Sequence, residues 1–235
     1  MSADLLDVIY ACERRQEWYR DNQILEGEPP LPFVGAASID DPVDAIAEQM
    51  REVLDWRAQS RATCRSADAA LTWLREHAEA AGVLVMISGI VGSNTHRRLD
   101  PQEFRGFALV DDHASIVFVN GADSKAAQVF ALAQGLALVW LGVSGLFGRG
   151  AAKLSFDPAG ASSSAVAEVL LSGLPVVGGA GRTRGRPMSA CGRRFVRAVR
   201  ASVLAGRTSY PQAHRLLAVR KASVLDRHFR GVEDG

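Results

Sequence analysis

Residues 105–140 read RGFALVDDHASIVFVNGADSKAAQVFALAQGLALVW, and this stretch decides the fold. It begins with two short runs rich in β-forming residues, Gly106–Asp111 and Ser115–Asn120. The two runs flank DDHA, residues 111–114, where aspartates favour a tight turn. Two such runs joined by a short turn predict an antiparallel hairpin. A third run of the same kind, Val83–Ser88, predicts a further strand of the same sheet.

The second half of this stretch predicts a long apolar helix. Ser124 or Asp123 supplies a side-chain oxygen for the N-cap, and the helix should run from about Lys125 to Leu141. Residues 126–148 form a run of 23 residues without a charge, which on length alone qualifies as a membrane span. The alternative is a buried central helix that packs beneath the hairpin. Glycines, glutamines and a serine lower the hydrophobicity of the run, so we expect the buried helix and no membrane insertion.

Upstream of the hairpin, apolar residues recur at helical spacing. Residues 3–21 show this period and predict an opening helix. Asp41-Pro42 offers an N-cap and a first-turn proline for a helix that runs to about Trp56. Ser66 predicts the start of another helix, and Gly82 predicts its end.

Downstream of the central helix, from Gly148 to Pro187, the composition shifts to glycine, alanine, serine and arginine. Within this segment Ser162–Leu171 has the pattern of one short helix. Three basic helices are expected after it: Cys191–Ala205, Pro211–Leu217 and Lys221–Phe229. The predicted fold is α+β, a small antiparallel sheet flanked by helices with a helical C-terminal tail. The predicted units are a core over residues 1–147, an irregular connection over residues 148–187 and a basic helical region over residues 188–235.

The composition is that of an ordinary globular protein. Of the 235 residues, 48% are hydrophobic and 23% are charged, which excludes extended disorder and a collagen-like chain. The three cysteines are far apart and form no CxxC or Cys/His cluster, so neither a disulfide framework nor structural zinc is expected. The residues after Met1 are amphipathic and include early acids, unlike a secretory leader, and we expect a cytoplasmic protein.

Charge is distributed unevenly, although the formal net charge is only +1. Residues 1–100 carry 17 acidic and 10 basic side chains, whereas residues 182–230 carry 13 basic side chains and 1 acidic one. A segment this basic is typical of a protein that binds nucleic acid or an acidic partner. The alternative is that the tail pairs with the acidic N-terminal half of the same chain. The candidate contact residues lie in the first basic helix: Arg193, Arg194, Arg197 and Arg200.

Three stretches carry a resemblance to a known family. Residues 93–133 read SNTHRRLDPQEFRGFALVDDHASIVFVNGADSKAAQVFALA and resemble the ImmA/IrrE family of bacterial zinc metallopeptidases. Residues 192–223, GRRFVRAVRASVLAGRTSYPQAHRLLAVRKAS, resemble the C-terminal region of the longer members, and residues 5–20 resemble the segment after their helix-turn-helix. The resemblance implies a zincin-like core and a cytoplasmic regulator of stress or mobile elements. Such a regulator cleaves or contacts a repressor of the helix-turn-helix type.

The resemblance also places the zinc motif of the family, HExxH, in the central helix. In the family, two histidines one helical turn apart bind zinc, and the glutamate between them is the general base. Here the five positions read Gln134-Gly135-Leu136-Ala137-Leu138, so the histidines and the glutamate are all replaced. The third family ligand falls near Ala159, while Glu168 corresponds to a different glutamate. We therefore expect no catalytic residue and no metal or other cofactor at these positions.

Three functional hypotheses follow. The first is a non-catalytic, metallopeptidase-like pseudoenzyme that regulates transcription by binding a helix-turn-helix repressor or another protein. The second is an active zinc endopeptidase with relocated ligands. His113 beside Asp111 and Asp112 is the best remaining cation site, although we expect these residues to form an ordinary solvated turn. The third is a DNA-binding protein that acts through its basic C-terminal helices. A degenerate gene remnant without a cooperative fold is a further alternative.

Overall fold

The computed structural model describes residues 1–148, 158–174 and 190–232. Its helices are Ala3–Glu26 (α1), Val43–Val53 (α2), Ala58–Thr63 (α3), Ala67–Ala81 (α4), Lys125–Trp140 (α5), Pro158–Leu170 (α6), Arg193–Leu204 (α7), Tyr210–Leu216 (α8) and Ala222–Arg230 (α9). Its strands are Leu84–Ser88 (β1), Ile90–Val91 (β2), Asn94–Arg98 (β3), Gly106–Leu109 (β4), Ile116–Asn120 (β5) and Gly145–Phe147 (β6). The protein therefore has the predicted α+β fold, a small sheet flanked by helices.

The main sheet has four strands in the order β1-β5-β4-β6. β4 and β5 form the predicted antiparallel hairpin, in which Leu109 lies opposite Ile116. β1 pairs with β5 in parallel, with Leu84 opposite Ile116, so the prediction of an antiparallel sheet is wrong for this pair. The connection between β1 and β4 contains the small antiparallel pair β2–β3. Because of this connection, β5 lies between β1 and β4. It is parallel to β1 and antiparallel to β4.

Helices cover both faces of this sheet. Successive side chains of a strand point to opposite sides, so each strand contributes to both buried clusters. Val85 and Val117 lie on one face, in a buried cluster with α2, α4, α5 and α6. Met86 and Phe118 lie on the other face, in a cluster with α1, α7, α8 and α9. All five residues of β5 are buried, as expected for a strand that is covered on both sides.

α5 lies in the middle of the first face. Ser124 is its N-cap, as predicted, and accepts a hydrogen bond from the backbone N–H of Ala127. At the other end Phe33, in the loop before α2, stacks on Trp140 with ring centroids 4.3 Å apart. The chain then turns at Gly142, whose φ of 69° favours glycine, and β6 pairs with β4.

The 23-residue uncharged run is therefore a buried helix, a turn and a short strand rather than one long helix. In the described parts of the chain, no helix is both long and apolar enough to cross a membrane.

Other predicted helix ends agree with the structure to within a few residues. Ser66 caps α4 and Gly82 ends it, as predicted. α2 begins slightly later than predicted, because Pro42 rather than Asp41 takes the N-cap position. The Asp41 carboxylate instead accepts a hydrogen bond from the backbone N–H of Ser38 at 2.7 Å.

The C-terminal helices pack on α1 and the second face of the sheet. Phe195 of α7 meets Trp18 of α1 edge-on, with ring centroids 5.6 Å apart. The backbone N–H of Ile87, in β1, donates to the carbonyl of Ala190 at 3.1 Å. Of the predicted connection over residues 148–187, only residue 148 and residues 158–174 are described, and the second of these segments holds α6.

Candidate functional site

The five motif positions, residues 134–138, are buried in the middle of α5. Gln134 is 9% exposed, and its amide Nε2 lies 3.4 Å from the Gly160 carbonyl and 3.5 Å from Ser163 Oγ. The Ser163 hydroxyl donates to the same carbonyl at 3.0 Å. Gln134 therefore contacts the early turns of α6, where the resemblance places the third ligand position, Ala159. An uncharged hydrogen-bonded contact joins the two helices.

Gly135 lies directly against the sheet. A Cβ atom at this position would overlap Val117 Cγ1 and lie 3.2 Å from Phe147 Cζ. Val117 belongs to the central strand β5 and is β-branched, so its side chain has little freedom to move away. A side chain at position 135 therefore requires a shift of the sheet. Leu138, one turn further along α5, is only 1% exposed and belongs to the apolar cluster.

The residues at these positions do not fit a zinc ion. Zinc in proteins is bound by thiolate, imidazole and carboxylate groups, whereas Gln134 and Leu138 offer an amide and an alkyl group. On α6, Ala159 is buried and Glu168 is exposed to solvent. Within the described ranges, no group of three or more histidine, cysteine, aspartate or glutamate side chains is placed to hold a metal. The motif positions thus provide neither a metal ligand nor a general base.

His113, predicted as the best remaining cation site, lies in the β4–β5 turn. The Asp111 carboxylate accepts hydrogen bonds from the backbone N–H groups of His113 and Ala114, each at 3.0 Å. The same carboxylate lies 3.5 Å from the guanidinium of Arg20. Asp111 therefore stabilises the turn and already has a cationic partner, and Asp112 is exposed.

The basic tail contacts the N-terminal half of the chain through Arg194. Its Nε donates to the Tyr19 hydroxyl at 2.8 Å, and its Nη1 donates to the Glu79 carbonyl at 3.0 Å. The backbone N–H of Arg194 also donates to the Glu79 carboxylate at 3.2 Å. Glu79 is 8% exposed and forms an ion pair with Arg75 at 3.0 Å. Burial raises the pKa of Tyr19, although Arg194 opposes the rise, so the phenol stays neutral when it accepts this bond.

The other predicted contact residues of α7 lie nearer the surface. Arg193 and Arg197 are exposed, and Arg200 is half-buried. α7 turns its apolar side, with Phe195, towards the sheet. The structure therefore does not gather the four arginines on one open face, because Arg194 is held between α1 and α4.

A cavity of about 1720 Å³ lies on the second face of the sheet, between α1, the end of β1 and the C-terminal helices. Six arginines line it: Arg14, Arg15, Arg75, Arg193, Arg215 and Arg227. Three carboxylates line it: Asp7, Glu17 and Asp21. Two of these acids have other partners, since Asp7 lies 2.7 Å from Arg97 and Asp21 lies 3.6 Å from Arg20. Arg75 is paired as well, with Glu79 at 3.0 Å. The other five arginines still outnumber the acids, so the lining of the cavity is positively charged.

Arg15 is the most unusual residue of this cavity, because it is only 9% exposed. Its Nε donates to the Leu216 carbonyl at 2.8 Å, and its Nη1 lies 3.6 Å from Met86 Sδ. Arg15 is absent from the site residues that were predicted from the sequence. The sequence nevertheless indicates its burial, because Arg15 lies at helical spacing between Cys12 and Tyr19, which are both buried residues of α1. A charged side chain at a core position of a helix is rare unless it has a partner.

The C-terminal helices match a known family model. The model is described as a domain of unknown function (DUF8813), and it matches residues 191–229. These residues hold α7, α8 and α9, which cover the second face of the sheet and form one wall of the arginine-lined cavity. No curated protein and no solved structure matches the chain.

Proposed function

We propose that this chain is a non-catalytic protein of the ImmA/IrrE type, which regulates transcription in the bacterial cytoplasm by binding a helix-turn-helix repressor. The observation that carries the proposal is the contact between α5 and α6 at Gln134. In the family that the sequence resembles, two helices so placed would share a zinc ion. Here the amide of Gln134 meets a carbonyl and a hydroxyl instead.

The replacement has a physical reason. Unpaired histidines or carboxylates inside the fold would carry a large desolvation penalty without a metal. Leu138 removes that penalty, and Gln134 keeps a hydrogen-bond partner for its buried amide. Gly135 lets α5 approach Val117 more closely than any other residue would. These features support a scaffold that has been repacked without metal and kept for its surface.

The first experiment measures zinc and cleavage together. The purified full-length chain is assayed for zinc by elemental analysis and mixed with helix-turn-helix repressors of its host. We expect substoichiometric zinc and a repressor that binds but stays intact. Stoichiometric zinc, together with repressor cleavage that a chelator abolishes, would overturn the proposal and favour the active peptidase.

A second experiment tests whether the scaffold is of the metallopeptidase type. The variant Gln134→His/Leu138→His/Ala159→Glu restores three ligands at the corresponding positions, and its matched control omits Ala159→Glu. If α5 and α6 are arranged as the proposal requires, the triple variant should bind zinc more tightly than the double variant. Equal zinc affinity of two variants that both melt cooperatively would contradict the proposed arrangement.

Contact with duplex DNA is a second candidate, because α7 exposes Arg193 and Arg197. Within the tail, Arg194 contacts Glu79, and Arg207 lies 2.5 Å from Glu26. Fluorescence anisotropy with a labelled duplex decides between the candidates. Binding that weakens steeply with added salt would support DNA contact, and the absence of binding at low salt would exclude it.

A further inference from the structure

We propose that the arginine-lined cavity is a binding site for a small organic anion, whose phosphate or carboxylate group contacts Arg15. The inference does not depend on the proposed function, since the cavity lies on the face of the sheet opposite to α5.

Arg15 is buried without a counter-ion. It donates to the carbonyl of Leu216 and contacts the thioether of Met86, and in the described part of the chain no carboxylate pairs with it. Burial raises the pKa of the neighbouring Cys12 thiol to about 11, although Arg15 opposes the rise. The thiol is therefore protonated at neutral pH and supplies no negative charge. A buried guanidinium that lacks a counter-ion is costly, and an anion in the cavity would relieve this cost.

Further positive charge surrounds Arg15 in the cavity. Arg193, Arg215 and Arg227 come from three different helices, α7, α8 and α9, and all line the same cavity. Within the described ranges, none of these three arginines forms an ion pair. Of the carboxylates that line the cavity, only Glu17 is not held by an arginine outside it, and Glu17 is exposed. Convergent positive charge of this kind concentrates anions in a cleft.

The size and lining of the cavity define the kind of ligand that it suits. Guanidinium groups recognise phosphate and carboxylate through paired N–H donors, so either group suits Arg15. A volume of about 1720 Å³ far exceeds the space that an inorganic ion needs. Apolar side chains of Trp18, Met86 and Phe118 line the cavity as well. The cavity therefore suits an organic molecule with one anionic head group and an apolar or aromatic body.

The test uses the full-length chain and three probes: inorganic phosphate, adenosine monophosphate and citrate. Sodium chloride at matched ionic strength controls for screening. We expect at least one probe to raise the melting temperature saturably, and calorimetry to give a Kd for it. Phosphate and adenosine monophosphate report a phosphate site, whereas citrate reports a carboxylate site. No saturable effect from any probe would overturn the proposal.

Two variants of the same charge locate the bound anion. Arg15→Gln should weaken the binding of the active probe about tenfold or more, whereas Arg65→Gln, at an exposed position outside the cavity, should change it little. Equal weakening in both variants would mean diffuse attraction rather than a site and would contradict the proposal. If Arg15→Gln fails to fold, the Nε–H resonance of Arg15 in the native chain replaces it, and it should shift on titration with the probe. An unchanged resonance at saturation would also overturn the proposal.

Discussion

Replacing Gly135 by alanine adds one methyl group at the closest approach of α5 to the sheet. The new Cβ would overlap Val117 Cγ1 and lie 3.2 Å from Phe147 Cζ. Overpacking of a buried site costs about 1–3 kcal/mol. Alanine in place of glycine within a helix returns about 1 kcal/mol. We therefore expect the free energy of unfolding to fall by up to about 2 kcal/mol, whereas helix propensity alone predicts a rise.

A double-mutant cycle with Val117→Ala isolates the crowding. Val117→Ala alone should cost about 2 kcal/mol, because it removes two buried methyl groups and leaves a space. In the double variant, the methyl group added at position 135 enters that space. The free-energy losses of the two single variants should therefore sum to more than the loss measured for the double variant. The expected coupling is about 1–2 kcal/mol in favour of the double variant. Urea denaturation followed by far-ultraviolet circular dichroism measures all four free energies.

Two results would refute this reasoning. One is a Gly135→Ala variant that is about 1 kcal/mol more stable than the native chain, since the close contact would then carry no energy. The other is additivity within about 0.3 kcal/mol, which would mean that Val117 and position 135 do not interact. A confirmed cycle would also explain why a glutamate, as the peptidase motif requires, does not fit at this position without movement of β5.

Raising the pH from below 9 to above 11 should lower the free energy of unfolding by up to about 2.7 kcal/mol, because burial raises the pKa of the Cys12 thiol from 9.0 to about 11. This contribution is fully present below pH 9 and is lost as the pH rises through 11, so urea titrations of Cys12→Ala should lack that part of the decline. Arg194→Met should cost about 2 kcal/mol in thermal or urea unfolding, because it removes the guanidinium donors to the Tyr19 hydroxyl and the Glu79 carbonyl. The exposed neighbour Arg193→Met is the control and should change stability by less than about 0.5 kcal/mol.

The parts of the fold that depend on local interactions were predictable from the sequence. Ser66 and Ser124 cap their helices through bonds within four residues, and the β4–β5 hairpin closes over one short turn. The parallel pairing of β1 with β5 was not predictable, because the spacing of apolar residues along a strand does not show which other strand it pairs with or in which direction. β6 was missed for a related reason, since its residues, Gly145–Phe147, end an apolar run and become a strand only by pairing with β4.

The candidate sites show the same division. The sequence shows directly that residues 134, 135 and 138 are neutral. It does not show the crowding of Gly135 by Val117, because that contact arises only when α5 packs on β5. Arg194 was a candidate contact for an outside partner, with pairing to the N-terminal half as the alternative, and it contacts Glu79 and Tyr19 of that half. Charge counts alone could not decide between these outcomes, because they do not show which side of α7 faces the core. The DNA and partner contacts of the remaining arginines stay predictions.

The packing of the tail on α1 also has a consequence for synthesis on the ribosome. The hydrogen bond from Arg15 to Leu216 joins residues that are 201 positions apart, and α7 supplies Phe195 to the same cluster. During translation, all residues of the sheet are therefore synthesised well before the C-terminal helices that cover its aromatic face. Until α9 has been translated, Phe107 and Phe118 are partly exposed to solvent. The nascent chain then has an exposed hydrophobic surface of the kind that chaperones bind.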